Sequence, residues 1–154
     1  MKIMVAFDGT NSSINALNYA LDLKNSVDGY LIMYSITENK VVPPYFGEYS
    51  GDFFNEMVEK DEETAESVLD MAKQIANKHG VTPEVEIVDM PNEDTAETIL
   101  KTAYKFNADM IVMGMRRLGR VEKLILGSVS AKVIQNSKIA VLVAPPRNEE
   151  KEKK

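Results

Sequence analysis

The chain has no cysteine and a single histidine, His79. Without thiols, disulfides, zinc-thiolate centres and thiol nucleophiles are excluded together, a composition that fits a reducing interior. One imidazole limits metal and general-base chemistry almost as sharply. Basic charge is also scarce: 18 Lys and Arg against 24 Asp and Glu leave a formal net charge of -6. Affinity for duplexes comes from clustered Lys and Arg that release counterions, so nucleic acid is not an expected partner. Long hydrophobic runs are missing too. Lys2 to Phe7 is apolar but closes at once on Asp8-Gly9, too short for the apolar core of a leader, and no later run approaches the length of a membrane span. The expectation is a soluble, cytoplasmic protein with no membrane and no nucleic-acid partner.

What is present suffices for one compact domain. The chain has 154 residues, and 44% of them are hydrophobic, enough to bury a core. Residues 1–146 read as that domain, and 147–154, almost wholly charged, as a disordered tail.

Within the domain strand and helix patterns alternate. Ile3 to Phe7 reads as a strand buried on both faces, followed by the tight turn Asp8-Gly9-Thr10. Ile14, Leu17, Ala20 and Leu21 recur at helical spacing, with Asn11 or Ser12 available as the cap. Tyr30 to Ile36 is a second strand. After it Pro43-Pro44, Gly47 and Gly51 break regular structure across a loop, 37–53, long enough for a lid or a contact with a protein partner. Helical character returns by Asp61, with a stripe of Ala65, Val68, Leu69, Ala72, Ile75 and Ala76 stopped by Gly80. Glu84 to Val88 alternates as an edge strand would, and Asp94 with Glu97 resembles a capping box opening a helix to about Phe106. Met110 to Met113 is a buried strand, a helix begins near Ser128, and Ala140 to Ala144 is a last strand stopped by Pro145-Pro146.

Strands joined by helical crossovers predict an α/β fold, a single doubly wound five-stranded parallel sheet with helices on both faces. In such a sheet the ligand crevice lies beyond the carboxyl ends of the strands, where strand order reverses. For the order 3-2-1-4-5 that point falls between strands one and four. The turn at Asp8 would then face the loop that begins at Gly114.

That loop, GMRRLGRVEKLILGS, places Gly114, Gly119 and Gly127 between a buried strand and a helix start. Glycine lets backbone N–H groups approach an anion closely, and the first turn of a helix offers unpaired donors and the positive end of a dipole, which suits phosphate. The Ser128 hydroxyl can meet a phosphate oxygen or cap its own helix by accepting from Ser130 or Ala131 N–H. Asp8 likewise suits either a ligand contact or a plain Asp-Gly turn. Val121, Leu124 and Ile125 sit at helical spacing and suggest a short turn packed over the sheet end.

VAFDGT after the first strand, VMG closing the fourth, LILGSVSAKVI opening the last helix and AVLVA as the final strand resemble the universal stress protein family over residues 1 to 144. In nucleotide-binding members the glycine motif reads GxxGx9G followed by Ser or Thr. Gly114, Gly127 and Ser128 fall in that register, but Arg117 occupies the second glycine position. On the matching positions the resemblance implies that Gly114, Gly127, Ser128 and Val129 contact phosphates and ribose and that Met113 borders the site. It further implies that Ala6, Phe7 and Asp8 flank the nucleotide, with Asp8 near it or its metal, and that Ser35 meets the adenine. The implied ligand is ATP, or AMP or ADP, with Mg2+ or Mn2+.

Arg117 carries two opposite readings. If the second glycine needs a positive φ, arginine there is strained and its side chain fills the phosphate space. If not, Arg116 and Arg117 bring charge-assisted donors to an anion site. Solvated loop charges are the plainer alternative for both.

The last strand, Ala140 to Ala144, should lie at the sheet edge and invite a homodimer through its unpaired backbone groups and apolar Val141, Leu142 and Val143. Together these readings describe an ATP-binding regulatory protein of stress response. It would turn ligand over slowly at most, since His79 lies far from the crevice. The alternative is a nucleotide-free dimeric scaffold or protein-interaction module of the same fold.

Overall fold

The computed structural model describes residues 1–36, 51–90, 92–117 and 124–147, with backbone alone at 51–63, 116–117 and 124–125. Strand β1 (Lys2–Ala6) carries Ile3, Met4 and Val5 at 0% exposure. A strand this apolar on both faces must be central, and β1 pairs in parallel with β2 (Gly29–Ile36) on one side and β4 (Met110–Gly114) on the other. Outside them lie β3 (Glu84–Asp89) and β7 (Ala140–Ala144), both parallel to their neighbours. The sheet order is β3-β2-β1-β4-β7, which is the expected 3-2-1-4-5 when its five strands are counted alone.

Alternation along each strand divides the core in two. Ile3, Val5, Ile32 and Val112 face α1 (Asn11–Asp22) and α2 (Gly51–Lys78), against Leu17, Leu21, Leu69 and Ala72. Met4, Leu31, Met33, Ile111 and Met113 face α3 (Thr95–Lys105) and α4 (Ser128–Asn136), against Ala96, Ile99, Leu100 and Val133. Both faces are thus covered by helices, as the doubly wound reading requires.

The local signals for α2 and α3 ends hold. Gly80 adopts φ 74 and closes α2, with Gly80 N–H on Asn77 C=O at 3.0 Å. Asp94 caps α3 by accepting from Glu97 N–H at 2.8 Å. Three readings need correction. The cap of α1 is Thr10, whose hydroxyl accepts from Ser13 N–H, and not Asn11 or Ser12. The cause lies upstream: the Asp8 carboxylate takes both the N–H and the hydroxyl of Thr10, at 3.0 and 2.6 Å, and so sets Thr10 at the helix entrance. Helix α2 starts at Gly51, not near Asp61, so Gly51 opens a helix instead of breaking structure. Phe53, Phe54, Met57 and Val58 continue the four-residue spacing that was followed only from Ala65. Finally, Leu124–Ile125 (β6) is not helical; it pairs antiparallel with Arg116–Arg117 (β5), and the ladder imposes extended backbone there. Val121, Gly119 and most of the 37–53 loop lie outside the described residues.

After β7 the chain returns over α1. Arg147 donates to Asp22 at 2.7 Å and lies over the Tyr19 ring at 4.9 Å from its centroid.

The entrance to α1 lies against the end of β4 so tightly that a Cβ on Gly114 would collide with the hydroxyl and the carbonyl of Ser12. Backbone cannot yield as a flexible side-chain tip can. Gly114→Ala is expected to lower unfolding free energy by about 3 kcal/mol in denaturant titrations. Gly29→Ala, whose Cβ would find its nearest atom at 3.7 Å, should leave stability nearly unchanged.

Candidate functional site

Parallel strands bring every strand-to-helix turn to one end of the sheet, and the divergence of α1 and α4 onto opposite faces leaves a gap there. The gap is a cleft of about 550 Å³. From β1 it is lined by Ala6, Phe7 and Asp8, from β2 by Met33, Tyr34 and Ser35, and from β4 by Met113 and Gly114. Helix α4 contributes Ser128, Val129 and Ser130, preceded by Gly127. Nine of the eleven residues singled out by sequence therefore meet in one place. The other two, Arg116 and Arg117, follow directly in β5, where the backbone alone is described.

Asp8 does turn work and faces the cleft at the same time. Its Oδ1 accepts from Thr10, its backbone N–H donates to Ser13 Oγ at 3.3 Å, and Gly9 takes φ 81 to close the turn. The two readings of this residue are compatible.

For Ser128 the geometry removes one of them. The residue before α4 is Gly127, at φ -66 and ψ 166, and no side chain caps the helix. Ser128 is the first helical residue, so its hydroxyl is not the cap. The first intrahelical bond runs from Ala131 N–H to Gly127 C=O at 3.0 Å, so the N–H groups of Ser128, Val129 and Ser130 have no intrahelical acceptor. By contrast α1 and α3, whose first turns also border the cleft, are capped by Thr10 and Asp94. Among the three, α4 alone has no capping side chain. At Gly127 the φ suits any residue, and among the described residues a Cβ there would meet nothing within 4 Å.

Arg117 is likewise unstrained. Strand geometry places it in the extended region, so the position does not demand a positive φ. An arginine at 117 therefore carries no backbone strain.

Sequence reading missed Thr10, Ser12, Ser13, Met33, Tyr34, Thr95, Ile99 and Ser130 in the cleft wall. Thr95 was the most findable, because the first turn of a helix that follows a capping residue must lie at this end of a parallel sheet. The Asp94 beside it is acidic beyond the ordinary carboxylate range, held there by the N–H of Glu97 and by the Lys132 ammonium. The hydroxyls of Ser12, Ser35, Thr95, Ser128 and Ser130 have no hydrogen-bond partner among the described residues, so the cleft presents unfilled polar capacity. His79 stands elsewhere, at the end of α2, its Nδ1 at 2.9 Å from Ile75 C=O. Among the described residues no three His, Cys, Asp or Glu side chains cluster to hold a metal, and no helix is long and apolar enough to cross a membrane.

The model of the universal stress protein family matches residues 1–145. The chain belongs to the universal stress protein family. It is 30% identical over 162 aligned positions to the stress response protein NhaX of Bacillus subtilis, covering 92% of this chain and 96% of that one. The solved structure of protein MJ0577 superposes with a TM-score of 0.76 at 25% identity, over 96% of this chain and 97% of the other. Two more distant members share the fold. The universal stress protein from Archaeoglobus fulgidus, solved in complex with dAMP, gives a TM-score of 0.68 at 21% identity over 94% of this chain and 97% of its own. Another, solved in complex with cAMP, gives 0.65 at 22% over 96% and 98%.

Proposed function

We propose that this universal stress protein binds an adenine nucleotide in the cleft and acts as a regulatory protein whose conformation or partners depend on ligand. The observation that carries the reading is the uncapped start of α4, where no described residue fills the space beside Gly127. A phosphate there accepts from the N–H groups of Ser128, Val129 and Ser130 at the positive end of the helix dipole. Ribose and base extend between Asp8 and Ser35, along the apolar strip of Met33, Ile99 and Met113. Family members solved with dAMP and cAMP support adenine as the base.

ATP, AMP and ADP all suit the cleft chemically. Among the described residues Asp8 is the carboxylate in the cleft wall, and a carboxylate at that place fits as one ligand to Mg2+ or Mn2+, the other positions falling to phosphate and water. The function is read as binding with at most slow turnover, since the sequence's one imidazole, His79, sits away from the cleft. A homodimer through β7 belongs to the same proposal. That strand is the sheet edge, and its Val141, Leu142 and Val143 are only half-buried. A cytoplasmic location and a protein partner at the 37–53 loop complete it.

Calorimetric titration of nucleotide-stripped protein with ATP and AMP, with and without Mg2+, should show saturable binding; no heat at millimolar concentrations of either would end the nucleotide reading. Gly127→Ser supplies a cap that competes with phosphate for the same N–H groups. It should raise stability by a few tenths of a kcal/mol while weakening nucleotide binding about tenfold or more. A variant that lost stability instead would show that glycine at 127 serves the fold. With its backbone unstrained, Arg117 is read as a charge-assisted donor to the anion, and Arg117→Gly should weaken binding. Tighter binding by that variant would mean that arginine obstructs the site.

A further inference from the structure

Two of the helices that wall the cleft are tied together behind it. Asp94, the cap of α3, uses one carboxylate oxygen for Glu97 N–H at 2.8 Å and the other for Lys132 Nζ at 3.1 Å. Thr95, the residue after Asp94, lines the cleft, and so does Ile99 one turn on. On α4 the lining residues are Ser128, Val129 and Ser130, and Lys132 stands one turn beyond Ser128. Neither Asp94 nor Lys132 is itself in the cleft wall. The pair therefore bridges the first turn of α3 to the first turn and a half of α4, at the ends where both helices meet the ligand space.

Stability alone is a poor reason for this pair. Its side chains are 44% and 56% exposed, and ion pairs in such surroundings contribute little to folding. The helices are already packed by Ala96, Ile99, Val129 and Val133. Apolar packing, however, is non-directional and leaves small shifts along a helix axis cheap. A bridge from a capping carboxylate, itself fixed by Glu97 N–H, adds direction at the point where the α4 donors must match phosphate. The neighbouring charges are already employed or point to other partners: Glu93 pairs with Lys101, and Glu97 adds a weaker attraction to that same Lys101.

We infer that Asp94 and Lys132 are positioning residues for the ligand cleft, an ion pair that holds the start of α4 in register with α3 so that its N–H donors meet a bound phosphate. This rests on the nucleotide reading above. Positioning and simple charge make opposite demands on one variant. If Lys132 acted only by attracting an anion and Asp94 only by repelling it, Asp94→Asn would tighten binding and Lys132→Gln would weaken it. If the pair positions α4, both weaken binding. Asparagine caps a helix as well as aspartate does, so Asp94→Asn removes the bridge and keeps the cap.

The test is titration of the stripped full-length chain with AMP, for the wild type, Asp94→Asn, Lys132→Gln, the double variant and Lys132→Arg. Each single change should raise Kd about three- to tenfold, the double should be no worse than the weaker-binding single, and Lys132→Arg should recover most of the affinity. Thermal midpoints should move little across the set. Unchanged or tighter binding by Asp94→Asn, or additive losses in the double variant, would overturn the positioning role while leaving the nucleotide reading intact. Failure of the wild type to bind either AMP or ATP would remove both.

Discussion

The cleft exists because β1 is paired in parallel on both sides, with β2 and with β4, and because the helices that follow β1 and β4 leave toward opposite faces. Three apolar residues at 0% exposure hold β1 in that central place. The two helices cannot both cover the line between β1 and β4, so the backbone there opens to solvent at the carboxyl end of the strands. Every residue in the candidate site owes its position to that one divergence. The chemistry at the opening is then a matter of which helix start has been left without a cap.

That division is visible in the three helix starts around the cleft. Thr10 and Asp94 spend their side chains on their own helices, the first oriented by Asp8 and the second shared with Lys132. Gly127 spends nothing. The site thus combines two helix starts capped by side chains with one that no side chain caps. The uncapped start suits an anion, while five hydroxyls around it that have no partner among the described residues offer adaptable contacts for sugar or phosphate oxygens.

Much of this was legible in the chain because the signals were local. The buried run Ile3 to Phe7, the stop at Gly80, the Asp94 cap and the helix start near Ser128 each depend on a few neighbouring residues, and each is where the pattern put it. The misses share a different physics. The pairing of Leu124–Ile125 with Arg116–Arg117 is a contact across a loop, and apolar spacing in one strand says nothing about a partner several residues away. The α1 cap moved to Thr10 because a side chain outside the helix, Asp8, reorganised the turn. The early start of α2 is hidden by Gly51, a residue type that ordinarily breaks helices. At the site, the residues that a motif marks at the ends of β1 and β4 and at the start of α4 are legible, whereas Met33, Tyr34, Thr95 and Ile99 are not, since their place in the wall comes from how β2 and α3 pack and not from any motif.

The glycines of the long loop answer to different masters. At Gly114 the α1 backbone leaves no room for a methyl group, whatever the cleft contains. At Gly127 no described residue stands in the way of a side chain, and an incoming molecule would. A lineage of this fold that abandoned its ligand would still be compelled to keep the first glycine and would be free to drift at the second. The shared glycine motif is thus two records written over one another, one of folding and one of use, and only position 127 can tell them apart.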